Sequence, residues 1–115
     1  MEFSTEEEFK NRIVSALTTE LNKEPLFDAE ILALKVEDAI AEFKVRRGYD
    51  FCLLSDAEKL KDMVQYYATI KKVALVWYNR IGAEGESYHY ENTVHRSMWT
   101  DDELFGNVFA FVKVI

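Results

Sequence analysis

The chain of 115 residues has little of what interrupts or cross-links a fold: one Cys, one Pro and four Gly. A lone Cys52 cannot close an internal disulfide, so a reducing compartment is expected. So few Gly and Pro leave few chain reversals, which favours long helices over a many-stranded β fold. No apolar run approaches the roughly 18 residues that a membrane span needs. The first residues, Met-Glu-Phe-Ser-Thr-Glu-Glu-Glu, are acidic where a secretory signal would be basic and then apolar. A soluble protein that stays where it is made is expected. Basic residues are also scarce, 14 against 21 acidic, for a formal charge of -7. A net negative chain repels phosphate, which argues against sequence-specific nucleic-acid binding through a broad basic face.

What is present is apolar surface. The apolar share is 49% and the aromatic share 14%, enough for a packed core and too much for intrinsic disorder. The length suits a single domain over 1–115. Ser4 and Glu7 stand at capping-box spacing, and Glu6, Glu7 and Glu8 suit the positive end of a helix dipole. Phe9, Ile13, Ala16, Leu17 and Leu21 follow at helical spacing, which predicts a first helix over 4–22. Asp28 is the expected N-cap of a second helix over 28–47, with Gly48 as its stop and Arg46 and Arg47 in the last turn, where cations suit the dipole. This helix carries two apolar stripes: Leu32, Val36, Ala39, Ile40 and Phe43, and beside them Ile31, Leu34, Ala41 and Val45. An arc that wide exceeds what one small core uses.

Ser55 and Glu58 repeat the capping-box spacing. Leu60, Met63, Tyr67, Ile70, Ala74, Trp77 and Ile81 then hold the helical period, which predicts one long third helix over 56–81, stopped by Gly82. Such a helix would be about 39 Å long. From 86 to 99 the sequence is rich in β-formers and lacks a helical stripe, so a hairpin-like excursion turning near Glu91-Asn92 is expected. Thr100 and Glu103 give a third capping-box spacing, for a short helix over 101–106. The apolar tail 108–115 must pair or pack with something. The fold class expected is mainly α: a small three- to four-helix bundle with a long third helix and a β-hairpin-like excursion. Its core is expected to draw on Phe9, Ile13, Leu17, Ile40, Phe43, Leu60, Tyr67, Ile70, Ala74 and Trp77.

Catalytic patterns are thin. His89, Glu91 and His95 have metal-ligand chemistry, but their spacing matches no helical His-Glu-x-x-His site, and two surface histidines are the simpler account. Cys52, between Phe51 and Leu53-Leu54, reads as a buried structural thiol. Gly82-Ala83-Glu84-Gly85-Glu86 follows a helix and lacks a Lys-Ser/Thr ending, so it is no phosphate loop. No enzyme, no cofactor and no metal are expected.

One run carries more. An aliphatic, aromatic helix ends in Val76-Trp77-Tyr78-Asn79-Arg80-Ile81, passes through Gly82-Ala83-Glu84-Gly85-Glu86-Ser87 and an aromatic, polar turn, and closes with Arg96-Ser97-Met98-Trp99. The stretch from Tyr66 to Trp99 resembles the head–tail connector (head-completion or adaptor) proteins of tailed bacteriophages and prophages. Where that family often has glycine at the hairpin turn, this chain has Asn92-Thr93. The first 54 residues match in layout.

The resemblance implies a structural virion protein. It would form a homo-oligomeric ring of about a dozen copies, dock on the portal protein after DNA packaging, and join head to tail through a tail-proximal connector or stopper protein. It implies residence at the head–tail interface of the virion, and in the host bacterial cytoplasm during assembly. The contact residues it suggests are Gly82, Glu84, Gly85, Glu86, Tyr88, Tyr90, Arg96 and Trp99. The wide apolar arc of the second helix and the unpartnered C-terminal segments suit such a role, because a ring buries two different surfaces of each subunit. The alternative is a small cytoplasmic helical protein-interaction or regulatory module.

Overall fold

The computed structural model describes residues 2–84 and 100–109. Within them the chain is mainly helical: α1 (Glu6–Leu21), α2 (Ala29–Arg47), a 3₁₀ turn at Tyr49–Phe51, α3 (Asp56–Val64), α4 (Tyr67–Glu84) and the short α5 (Asp101–Leu104). The hairpin expected over 86–99 and the tail beyond Phe109 lie outside the described residues.

Three of the expected starts hold. The Asp28 carboxylate accepts from the Glu30 and Ile31 amides, and Ser55/Glu58 and Thr100/Glu103 are complete capping boxes. The first start moves by one residue. Thr5, not Ser4, is the N-cap, and Glu8, not Glu7, closes the box. Both pairs have the required spacing. Just inside this start Phe9 is fully buried and meets Phe3 edge-on at 5.6 Å. Gly48 ends α2 with φ 77° and ψ 31°, the left-handed conformation that glycine adopts without a Cβ clash.

α2 lies at the centre, packed along α4 and against α1. Its stripe of Leu32, Val36, Ala39, Ile40 and Phe43 meets Phe9, Ile13, Leu17 and Leu21 of α1 and Ile70, Val73 and Ala74 of α4. Leu104, Phe105 and Val108 close this core from the C-terminal side. Seven of the expected core residues are buried, while Leu60, Tyr67 and Trp77 are half-buried at its edge. The second stripe of α2 faces outward, with Leu34 56% and Val45 65% exposed. Cys52 is only half-buried and not the enclosed thiol expected, since the connection to α3 packs so loosely that Leu53 beside it is fully exposed.

The long third helix does not form as one piece. It is interrupted at Gln65-Tyr66, where the Gln65 and Tyr66 amides bond the Asp62 and Met63 carbonyls, three residues back instead of four. Neither residue is Gly or Pro. Tertiary contacts converge there: the Tyr66 ring lies against Phe43 at 5.1 Å, tilted by 49°, and the Arg47 guanidinium lies 5.1 Å over the Tyr66 ring and pairs with Asp62. α4 also continues through Gly82 to Glu84, since a glycine inside a helix costs only about 1 kcal/mol. At the C-terminal side α5 closes at Leu104, shorter than expected, with Phe105 as its C-cap.

Candidate functional site

The run that carries the family resemblance begins on α4, and its described side chains face other parts of the chain. The Trp77 indole Nε1 donates to Asp101 Oδ1 at 2.9 Å, and Arg80 Nη1 donates to the same oxygen at 3.0 Å. Burial works against the Asp101 carboxylate, but these two donors outweigh it and hold its pKa below the ordinary value. Trp77 also meets Phe105 edge-on at 6.3 Å. Tyr78 turns toward α2: its hydroxyl accepts from the Asp28 amide at 2.9 Å, and its ring lies against Phe27. The last turns of α4 and the first turn of α5, which flank residues 85–99 in the sequence, are therefore tied to each other.

Of the expected contact residues, Gly82 and Glu84 fall in the final turn of α4. Gly85, Glu86, Tyr88, Tyr90, Arg96 and Trp99 lie outside the described residues, as do His89, Glu91 and His95. Sequence reasoning missed Asp101 as an anchor. In the sequence it is one of three acidic residues in a row, and nothing in the spacing ties it to Trp77, 24 residues earlier.

A second polar cluster sits at the opposite end of α4. Arg47 Nε and Nη2 donate to Asp62 Oδ2 and Oδ1 at 2.9 and 2.8 Å, a two-pronged charge-assisted pair. Tyr49 adds its hydroxyl to Asp62 Oδ2 at 2.6 Å. Burial, with the neighbouring Asp62 carboxylate, pushes the Tyr49 phenol well above its usual pKa. Burial also opposes ionisation of Asp62, yet the bonds from Arg47 and Tyr49 prevail and its pKa is lowered. Arg47 Nη1 further donates to the Phe109 carbonyl at 3.0 Å. Arg46, one residue earlier, pairs with Glu42 and Asp102 and lies 4.7 Å over the Phe105 ring. The three bonds that Asp62 accepts, two from Arg47 and one from Tyr49, tie α3 to the end of α2 and the turn that follows it.

A cleft of about 570 Å³ opens beside this cluster, lined by Ser4, Thr5, Lys44, Tyr49, Asp56 and Lys59 among others. Its mouth carries the Lys44–Glu6 ion pair at 2.6 Å. Among the described residues no three His, Cys, Asp or Glu side chains come together as metal ligands would. Among them, too, no helix is long and apolar enough to cross a membrane. No protein-family model, curated protein or solved structure matches the chain.

Proposed function

We propose that this protein is a ring-forming head–tail connector of a tailed-phage virion, which docks on the portal after DNA packaging and joins head to tail. The observation that carries the reading is the tie between the two elements that flank residues 85–99 in the sequence. Trp77 and Arg80, within the run that resembles the family, grip Asp101 just beyond the stretch. Flanking elements that hold each other leave the stretch between them able to serve a neighbour while the helical body stays folded. The exposed Leu34 and Val45 on α2 add apolar surface of the kind an assembly covers.

In this reading Gly82, Glu84, Gly85, Glu86, Tyr88, Tyr90, Arg96 and Trp99 belong to the contact region between subunits or with the portal. The partners are further copies of the chain, the portal protein and a tail-proximal protein. The role is structural, without catalysis or cofactor.

The test is sedimentation and light scattering of the full chain with purified portal, beside a variant in which Ser87–Ser97 is replaced by a short linker. The expected result is a portal-dependent assembly for the intact chain. The shortened chain should keep its thermal stability and stay unassembled. A shortened chain that joins the portal normally, or an intact chain that ignores it, refutes the proposal.

A further inference from the structure

The interruption between α3 and α4 conflicts with the sequence around it. Leu60, Met63, Tyr67, Ile70, Ala74 and Trp77 keep alternating steps of three and four straight across Gln65-Tyr66, and neither break residue is a helix breaker. In a continuous helix the Gln65 and Tyr66 amides would bond the carbonyls four residues back. Here both reach only three back. Each such step turns the chain about 120° instead of about 100°, so two of them overwind it by roughly 40°. Beyond the break Tyr67, Ala68 and Thr69 are the first three amides of α4 and have no carbonyl four back within their own helix. Regular bonding resumes at the Ile70 amide, which donates to the Tyr66 carbonyl at 2.9 Å.

The contacts that hold this conformation come from both sides of the break and meet in the C-terminal segment. On the α3 side Arg47 pairs with Asp62 and covers Tyr66, and the same guanidinium donates to the Phe109 carbonyl. On the α4 side Asn107 and Thr69 exchange side-chain hydrogen bonds at 3.1 and 3.3 Å. Phe105 and Val108, buried against the bundle, seat the segment between these two polar ties. One stretch of ten residues, 100–109, thus straddles an interruption that the local sequence does not require.

We propose that the α3–α4 junction is a two-state hinge, broken while residues 100–109 are docked and closed into one continuous helix when they leave. A tightened turn within an otherwise helical run is where such hinges are found, and the segment supplies the bistable contact that biases it. The inference stands apart from the assembly proposal, since it concerns the isolated chain.

Amide hydrogen exchange on the full-length protein tests it. Phe105→Ser with Val108→Ser undocks the segment, which loss of protection at the Leu104 amide reports. The expected result is that Tyr67, Ala68 and Thr69 gain at least tenfold protection as their amides find the Met63, Val64 and Gln65 carbonyls. Simple loosening of the structure would move these three amides the opposite way. No gain, or a loss, while Leu104 is released overturns the hinge. If far-UV circular dichroism shows that the double variant has unfolded, Asn107→Ala with Val108→Ala removes one polar tie and part of one buried side chain, a milder undocking again read at the Leu104 amide. A gain at residues 67–69 then supports the hinge, and unchanged protection there overturns it.

Discussion

Asp62→Asn isolates the charge of the cluster that joins α2, α3 and the C-terminal segment. The substitution keeps the shape of the side chain but removes the counter-charge that Arg47 meets through two bonds of 2.9 and 2.8 Å. It also gives Tyr49, whose hydroxyl lies 2.6 Å from Oδ2, a weaker acceptor or a donor that opposes it. Breaking a fully buried pair costs about 3–5 kcal/mol, because the remaining charge is left covered and alone. The Arg47 and Asp62 side chains keep 16% and 11% of their exposure, so water recovers part of that. A loss of about 2–3 kcal/mol is expected, within the range for charge-assisted hydrogen bonds. Urea unfolding at pH 7 measures it, run beside Arg47→Met and the double variant. The two single losses should exceed the double loss by about 1–2 kcal/mol, since either change alone already breaks the pair. Strict additivity, or a single loss below about 0.5 kcal/mol, would refute the reasoning.

Acid should remove the same stabilisation: the folded Asp62 has a lowered pKa and binds fewer protons than the unfolded chain, so its contribution is complete above about pH 4 and fades as the pH falls through the folded value. The Asp62→Asn penalty should therefore shrink with acid, as urea midpoints from pH 7 down to 3 will read. Ile70→Ala, at a fully buried site, is expected to cost about 2–5 kcal/mol in the same assay. Gly48→Ala, forced to φ 77°, should cost about 1–2 kcal/mol although it removes no contact. Leu34→Lys and Val45→Lys, on the outward face of α2, should each stay within about 0.5 kcal/mol of the parent in urea.

What the sequence revealed and what it concealed divide along the range of the interactions. Asp28, Ser55 and Thr100 could be read as caps because a cap bonds amides two or three residues away. The buried stripe of α2 could be read because helical periodicity is local as well. Thr5 displaced Ser4 because both satisfy the local rule, and the spacing alone does not separate the two starts. Arg47 was legible as a cation suited to a helix end, but not as the partner of Asp62, 15 residues on, or of the Phe109 carbonyl, 62 residues on. The break at Gln65-Tyr66 lies among those distant partners, where local spacing draws one helix straight through. Of the contact region, the glycines and aromatics of 82–99 drew attention by composition. Its anchor Asp101 has no such signal, since its value arises only where α4 brings Trp77 and Arg80 beside it.

Apart from the Tyr49 hydroxyl, which lies beyond α2, the core of the described residues contains no polar or charged side-chain group. Nothing inside it can therefore veto a shifted alignment of α1 on its neighbours in the way a buried amide fixes the register of a coiled coil. That task falls to the rim, where Lys10–Glu37, Lys44–Glu6 and Lys71–Glu20 join α1 to α2 and α4 at 2.8, 2.6 and 3.2 Å. Partly exposed pairs of this kind each contribute at most about 1 kcal/mol, and salt screens them. Raising ionic strength should thus leave the greasy interior intact while relaxing the alignment of α1, so that uniqueness of packing is lost before stability is. Side-chain methyl resonances of Ile13 and Leu17 would broaden under salt that hardly moves the unfolding midpoint.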